Sequence, residues 1–273
     1  GYNKDANIDG GININYNLTP GLKASVTLNT DFAETEVDDR QINLTRFPIR
    51  FPEKRDFFLE GANIYQFAPR SGVYPYFSRK IGLQSGNPVP IFFGGRIIGK
   101  IGKIEVAAQQ VKTRETSSLN SEDFSVIRLK QNFWKESSVG VLYTRRHTSK
   151  GNEFKPPLPD RNTLGVDLTL NTSTFLKNQN LQFQAFAIFH NPNTLNEINN
   201  SIWDRSARGI RINFPNDPWS GSLSYREFGN WYDPAVGFSR RNSFRRVEPR
   251  IRFSPLLEKS SVIRELQREI SFE

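Results

Sequence analysis

The chain has no cysteine, which excludes disulfide frameworks, thiolate metal sites, iron–sulfur clusters and cysteine nucleophiles. Histidine is confined to His147 and His190, too few for a polyhistidine metal centre. Methionine is also missing, so the 273 residues read as a mature product or an excised piece. No run approaches the ~20 apolar residues of a membrane-spanning helix, and no charged-then-apolar leader opens the chain. No Gly-x-Ser-x-Gly elbow, Walker loop or His-Glu-x-x-His motif is present. Together these absences exclude a helical membrane protein. They leave one built from strands open.

What is present is alternation. Leu164, Val166, Leu168 and Leu170 are separated by Gly165, Asp167 and Thr169, and Leu181, Phe183, Ala185, Ala187 and Phe189 keep the same period. The sets Ile12, Ile14, Tyr16, Leu18 and Leu22, Ala24, Val26, Leu28 repeat it, as do Val139, Val141 and Tyr143. A period of two gives each strand one apolar and one polar face. The pattern predicts an all-β chain with twelve strands near 10–18, 22–32, 90–98, 103–113, 123–133, 138–147, 163–172, 180–190, 206–215, 220–227, 246–254 and 261–272. Short joins such as Thr19-Pro20-Gly21 alternate with long ones at 33–89, 114–122, 148–162, 191–205 and 228–245.

Two architectures fit. A soluble β-sandwich also alternates, but strands of about ten residues exceed the ~5–6 of an ordinary soluble sheet. The polar face (Ser25, Thr27, Asn29; Asp167, Thr169, Asn171; Ser222, Ser224, Arg226) and the aromatics near strand ends fit the other architecture, an antiparallel up-and-down transmembrane β-barrel. The expectation is a barrel with twelve strands visible, part of a larger barrel incomplete at both ends.

The 33–89 connection is far longer than an ordinary loop. Phe47, Phe51, Phe57, Phe58, Tyr65 and Phe67 are too many large apolar groups for a segment in water, so it is expected to fold into the lumen or cap its mouth. Phe51, Glu53, Lys54, Arg55, Asp56, Phe57, Phe58 and Glu60 are the residues expected to carry this plug or cap, with Glu53, Lys54, Arg55 and Asp56 pairing with wall charges.

The run Asn29-Thr30-Asp31-Phe32-Ala33-Glu34-Thr35-Glu36-Val37-Asp38 and the run Phe51-Pro52-Glu53-Lys54-Arg55-Asp56-Phe57-Phe58-Leu59-Glu60-Gly61 resemble an uncharacterised bacterial family. It is the outer-membrane barrel domain commonly found after a family-9-type carbohydrate-binding module. Tyr76-Phe77-Ser78-Arg79-Lys80-Ile81-Gly82, Arg128-Leu129-Lys130-Gln131-Asn132-Phe133 and Val236-Gly237-Phe238-Ser239-Arg240-Arg241 extend the resemblance from about residue 10 to 254. The upstream module and the final strands are not matched here. The resemblance implies an outer-membrane barrel of a Gram-negative bacterium. It supplies no catalytic residues.

Three clusters remain. Asp31, Glu34, Glu36 and Asp38 offer oxygen ligands for a cation, or form a solvated turn; they lack the central glycine and spacing of a calcium loop. Glu53 with Glu60, or Asp56 with Glu60, could pose as a glycosidase pair, a reading that carboxylate proximity alone does not favour. Between Arg205 and Arg252 lie ten Arg, no Lys and four acids, most of the net +9 of the whole chain. Arg211, Arg226, Arg250 and Arg252 have lumen parity and are grouped with Arg240, Arg241, Arg245 and Arg246 as binding candidates. They would bind an anionic or glycan-derived solute, or close an internal salt-bridge network. Their spread over alternating strands without a recognition motif argues against nucleic acid. No cofactor or metal is expected. The partners expected are membrane lipid and a polar solute. The rival readings are a surface hydrolase or carbohydrate-binding protein anchored by the barrel, and a soluble β protein.

Overall fold

The computed structural model describes residues 11–29, 47–84, 87–116, 119–151, 156–255 and 268–272. The chain begins with β1 (Ile12–Thr19) and β2 (Leu22–Leu28), then a helical turn, α1 (Asp56–Leu59), and a small hairpin of β3 (Leu83–Gln84) and β4 (Asn87–Pro88). Next come β5 (Ile91–Ile101), β6 (Ile104–Thr113), β7 (Glu122–Phe133) and β8 (Ser137–Thr148). They are followed by β9 (Arg161–Phe175), β10 (Gln179–His190) and a second helical turn, α2 (Leu195–Asn199). The last strands are β11 (Ser206–Phe214), β12 (Trp219–Phe228), β13 (Phe244–Phe253) and β14 (Arg268–Ser271).

Twelve strands form one antiparallel sheet in the order β1-β2-β5-β6-β7-β8-β9-β10-β11-β12-β13-β14, and β3-β4 stands apart. Every neighbour in the large sheet follows its partner in sequence, apart from the long excursion between β2 and β5. Such an order needs only hairpin connections. Gly102 (φ 59°) turns the β5–β6 hairpin in the left-handed region that a side chain disfavours. Among the described residues β1 and β14 do not pair, so the sheet is open. The expected barrel is therefore realised here as a continuous antiparallel wall, without closure.

Alternation sorts the strands' side chains as expected. One face exposes Ile12, Ile14, Tyr16, Val26, Ile97, Ile127, Leu129, Val141, Leu164, Val166, Ile210, Ile212, Leu223, Val247, Ile251 and Ile270. The other buries Ser25, Thr27, Arg96, Gln109, Arg128, Thr144, Thr163 and Asp167. This inner face is not uniformly polar, contrary to the expectation. Val111, Phe124, Val126, Leu142, Ile188 and Ala207 also point inward and are buried. They have an apolar partner: Phe58, Tyr65, Phe67, Val73 and Ile81, contributed by the segment that follows β2.

Residues 47–82 run across the inner face. Lys23 on β2 meets Glu60 at 2.5 Å, and Arg96 on β5 pairs with the same carboxylate. Further along, the Gln109 amide on β6 donates to the Tyr76 hydroxyl at 2.9 Å. Arg128 on β7 donates to the Gln66 carbonyl at 3.0 Å, and the Ala68 N–H donates to Asp167 on β9 at 3.1 Å. Phe67 meets Phe186 on β10 edge-on at 6.3 Å, and Arg226 on β12 donates to the Ser71 carbonyl at 2.8 Å. In a flat sheet the seven strand spacings from β5 to β12 would span roughly 34 Å at ~4.8 Å each. Glu60 to Ser71 could cover that only if nearly straight, and residues 61–65 are a succession of turns. The sheet is therefore strongly curved around the segment.

The Arg128–Asp167 pair anchors this arrangement. Two hydrogen bonds of 2.5 and 3.0 Å join the groups, with 1% and 7% of the side chains exposed. Gly140 on β8 lies between them: an added Cβ would sit 2.4 Å from Arg128 Nη1. Removing one member leaves a buried charge alone, at a cost of about 3–5 kcal/mol. Asp167→Asn is expected to lower the denaturant midpoint of the tryptophan-fluorescence transition by a stability loss of that size. The double substitution Arg128→Met with Asp167→Leu should recover only part of it, because the Gln66 carbonyl and the Ala68 N–H then lose their partners. An unchanged midpoint in Asp167→Asn would show that the pair does not hold the segment.

Candidate functional site: an arginine-lined cleft on the inner face

The segment leaves part of the inner face open, and its backbone shapes the opening. Ala68 (φ 39°) and Arg70 (φ 68°) both take left-handed conformations that a side chain disfavours, and Gly72 (φ 74°) completes the turn. The strain is held by three wall contacts: Arg128 to the Gln66 carbonyl, Asp167 to the Ala68 N–H, and Arg226 to the Ser71 carbonyl. The result projects Arg70 over the strands towards Arg211.

Arg70, Arg211, Arg226 and Arg250 line a cavity of about 180 Å³, with Gln184, Ser222 and Ser224 among its polar walls and Phe186, Pro249 and Phe272 among its apolar ones. Its one acid, Glu248, is already engaged by Arg226 and, at 3.2 Å, by Arg246. Arg250 reaches Glu269 at 3.2 Å on the edge strand β14. Neither Arg70 nor Arg211 meets an acidic side chain among the described residues. A second cavity of about 220 Å³ shares Arg70, Gln184 and Arg211 with the first and adds Thr169, Asn171, Gln182 and Asn213. A third, of about 460 Å³, continues past Thr169 and Asn171 to Lys100, Lys130 and Lys135. The open part of the inner face is thus a track: guanidinium at one end, amides and hydroxyls in the middle, and beyond them lysines mixed with Glu105 and Glu136, Lys130 pairing with Glu105 at 3.0 Å.

The arginines grouped from sequence do not stay together. Arg211, Arg226 and Arg250 line the first cavity, as their parity requires. Arg246 shares the inner face through its cross-strand partner Arg226 and is tied to Glu248. Arg252 also faces inward but binds Glu269 at 2.8 Å near the short-turn end, outside that cavity. Arg245 belongs to the opposite, outer face: it shares parity with Val247 and pairs with Glu227 at 2.9 Å. Arg240 and Arg241 lie in the connection between β12 and β13 and are exposed, Arg241 resting 5.7 Å above the Phe244 ring. Arg70 was not anticipated. Its signal was its place in the segment read as inward-folding, a few residues from the aromatic cluster.

The expected plug residues divide in the same way. Arg55 is buried, bonds the carbonyls of Ile81 and Ser78 at 2.7 and 2.8 Å, and lies 4.2 Å over the Phe58 ring. Glu53 pairs with Arg55 at 2.8 Å and accepts from the Ser78 hydroxyl at 2.5 Å, so both its partners are within the segment and not on the wall. Lys54 and Asp56 are exposed. Phe58 is buried, Phe57 packs beside it edge-on at 5.1 Å, and Phe51 lies 5.9 Å under Arg79. Among the described residues, ion pairs with the wall come from Glu60, to Lys23 and Arg96. The acidic residues Asp31, Glu34, Glu36 and Asp38 lie outside the described residues, and among the described residues no cluster could hold a metal ion.

A glycosidase acid needs a carboxyl whose pKa is raised. Burial pushes that of Glu53 up, but the hydrogen bonds and charge of Arg55, with the Ser78 hydroxyl, outweigh it and hold the group below its ordinary value. Glu60 is also held low, chiefly by the Lys23 hydrogen bond and against a smaller effect of burial. Both are structural anions. The two histidines are held as well. His190 Nδ1 accepts from Arg161 at 2.7 Å while Nε2 faces the Trp231 carbonyl at 2.8 Å. His147 meets Asp160 at 2.7 Å. Arg161 in turn grips Glu197 through bonds of 2.8 and 3.0 Å, fastening α2 to the rim.

Because the folded pKa of Glu53 is depressed, its pairing stabilises the protein above the ordinary value of 4.5 and is lost as pH falls through the lower folded value. Limited proteolysis should therefore cut within 47–82 faster once the pH drops below about 4.5. Glu53→Gln should be cut readily at neutral pH as well. Equal cutting of both proteins at every pH would remove Glu53 as the fastening.

A family model described as a domain of unknown function (DUF5916) matches residues 2–90 of this chain. The match covers β1, β2 and the inward segment with its Phe51–Gly61 run. No curated protein and no solved structure matches.

Proposed function

We propose that the chain forms the wall of an outer-membrane β-barrel in a Gram-negative bacterium, with residues 47–82 lying in the lumen. The track beside them would serve the passage or surface handling of a polar, anionic or glycan-derived solute. One observation carries the reading: a continuous apolar outer face, from Ile12 on β1 to Ile270 on β14. Exposed apolar patches on soluble monomers are typically ~300–600 Å², and a face twelve strands wide is a far larger liability in water. In a bilayer it becomes the lipid contact.

Three features support it. Strands β5 to β10 run 10–15 residues, enough for the ~9–11 a tilted membrane strand requires. Charges on the outer face of β6 to β13 gather at the long-loop end: Lys112 with Asp123, Arg145 with Asp160, and Glu227 with Arg208 and Arg245. A midplane charge there would cost about 2–4 kcal/mol. Aromatic pairs mark both ends, Trp219 with Phe253 and Phe175 with Phe214 by the short turns, Phe189 with Trp203 by the long loops. The resemblance to the module-associated barrel family agrees with this reading.

The protein is expected to stay dispersed only in detergent and to show heat-modifiable mobility on gels; full solubility without detergent would overturn the barrel. In planar bilayers, deleting residues 46–80 should raise conductance. Asp167→Asn, which keeps the chain length, should increase current fluctuations. No current in any form would favour the rival role, a membrane anchor for a surface hydrolase or binding protein.

A further inference from the structure

The first two cavities of the inner track differ in chemistry and share a boundary. On one side stand Arg70, Arg211 and Arg250, with the Ser222 and Ser224 hydroxyls between the strands that carry the arginines. On the other stand Thr169, Asn171, Gln182 and Asn213, all uncharged donors and acceptors. Arg70, Gln184 and Arg211 belong to both. Arg70 is held there by a strained turn that three wall contacts fix. Strain of this kind persists only where the surroundings over-determine it, and it clusters at ligand sites.

Arg70 and Arg211 make no ion pair among the described residues, and Arg250 shares its charge with Glu269; such guanidinium groups, backed by hydroxyls, match an oxyanion with several acceptor oxygens. A row of amides and hydroxyls matches a ring of alcohols. We propose that the joined cavities bind a phosphorylated sugar, its phosphate monoester between Arg70, Arg211 and Arg250 and its hydroxyls against Thr169, Asn171, Gln182 and Asn213. The combined space, about 180 and 220 Å³, exceeds what a bare phosphate fills. This deepens the reading of a solute track. It does not need the sheet to span a bilayer, because binding is read on solubilised protein whether or not the protein conducts.

The test is calorimetric titration of the full chain with glucose 6-phosphate, inorganic phosphate and glucose. Glucose 6-phosphate should bind most tightly, inorganic phosphate more weakly and glucose least. Arg211→Gln and Arg70→Gln should each weaken sugar-phosphate binding about ten-fold or more, the loss expected from one charge-assisted contact. Asn171→Ala should weaken glucose 6-phosphate while sparing inorganic phosphate. Arg240→Gln, in the exposed connection, should change nothing. Equal affinity for phosphate and sugar phosphate would overturn the sugar assignment. Retained affinity in Arg211→Gln and Arg70→Gln would overturn the site. Each variant's fold is checked by its tryptophan-fluorescence transition, so that a lost affinity is not a lost structure.

Discussion

The buried contact between Arg128 and Asp167 is the constraint on which the interior depends. Isolated, either group would be costly inside a protein; together they satisfy each other and still have hydrogen-bonding capacity left. That remainder is what organises the molecule. Arg128 spends it on the Gln66 carbonyl and Asp167 on the Ala68 N–H, so one ion pair on two non-adjacent strands fixes the backbone of a segment far away in sequence. The turn at Ala68 and Arg70 follows from that fixing, and the position of Arg70 follows from the turn.

The two faces of the wall follow different rules. The outer face is written locally: alternate residues are mostly apolar, and neighbouring strands extend the pattern without reference to anything else. Strand positions were therefore legible from sequence, and β8, β10 and β12 lie within a residue of their expected limits. β14 is described only as Arg268–Ser271, so most of the last expected strand lies outside the described residues. The inner face is written non-locally. Phe124 and Val126 on β7 interrupt its polarity because they share one buried cluster with Tyr65 and Ile81 of the inward segment. Alternation within β7 carries no trace of that partner.

The same distinction explains what was legible of the cleft. Arg211, Arg226 and Arg250 could be assigned to the inner side from the aliphatics on either side of them. Arg245 could have been excluded by the same parity, since Val247 follows it at two residues, but grouping by composition overrode the pattern. Arg70 belongs to no strand and obeys no period; only the closed set of contacts around residues 66–71 locates it. The self-contained pairing of Arg55 with Glu53 was likewise hidden. Two opposite charges two residues apart look available to the wall until Ser78 and Ile81 are seen to complete their shell.

The path of residues 47–82 across the inner face also bears on how the sheet can assemble. The segment precedes β5 to β14 in the chain, and its partners lie on β7, β9, β10 and β12, added in sequence one hairpin at a time. It can act as a mandrel, with each new strand rolled onto it and fastened by its own contact. Contacts such as Ser71 with Arg226 are separated by 155 residues, and closure entropy makes such pairings slow when strands must find each other unaided. A core laid down first would shorten that search, so the segment that covers part of the inner face would also be the form on which the curved sheet is shaped.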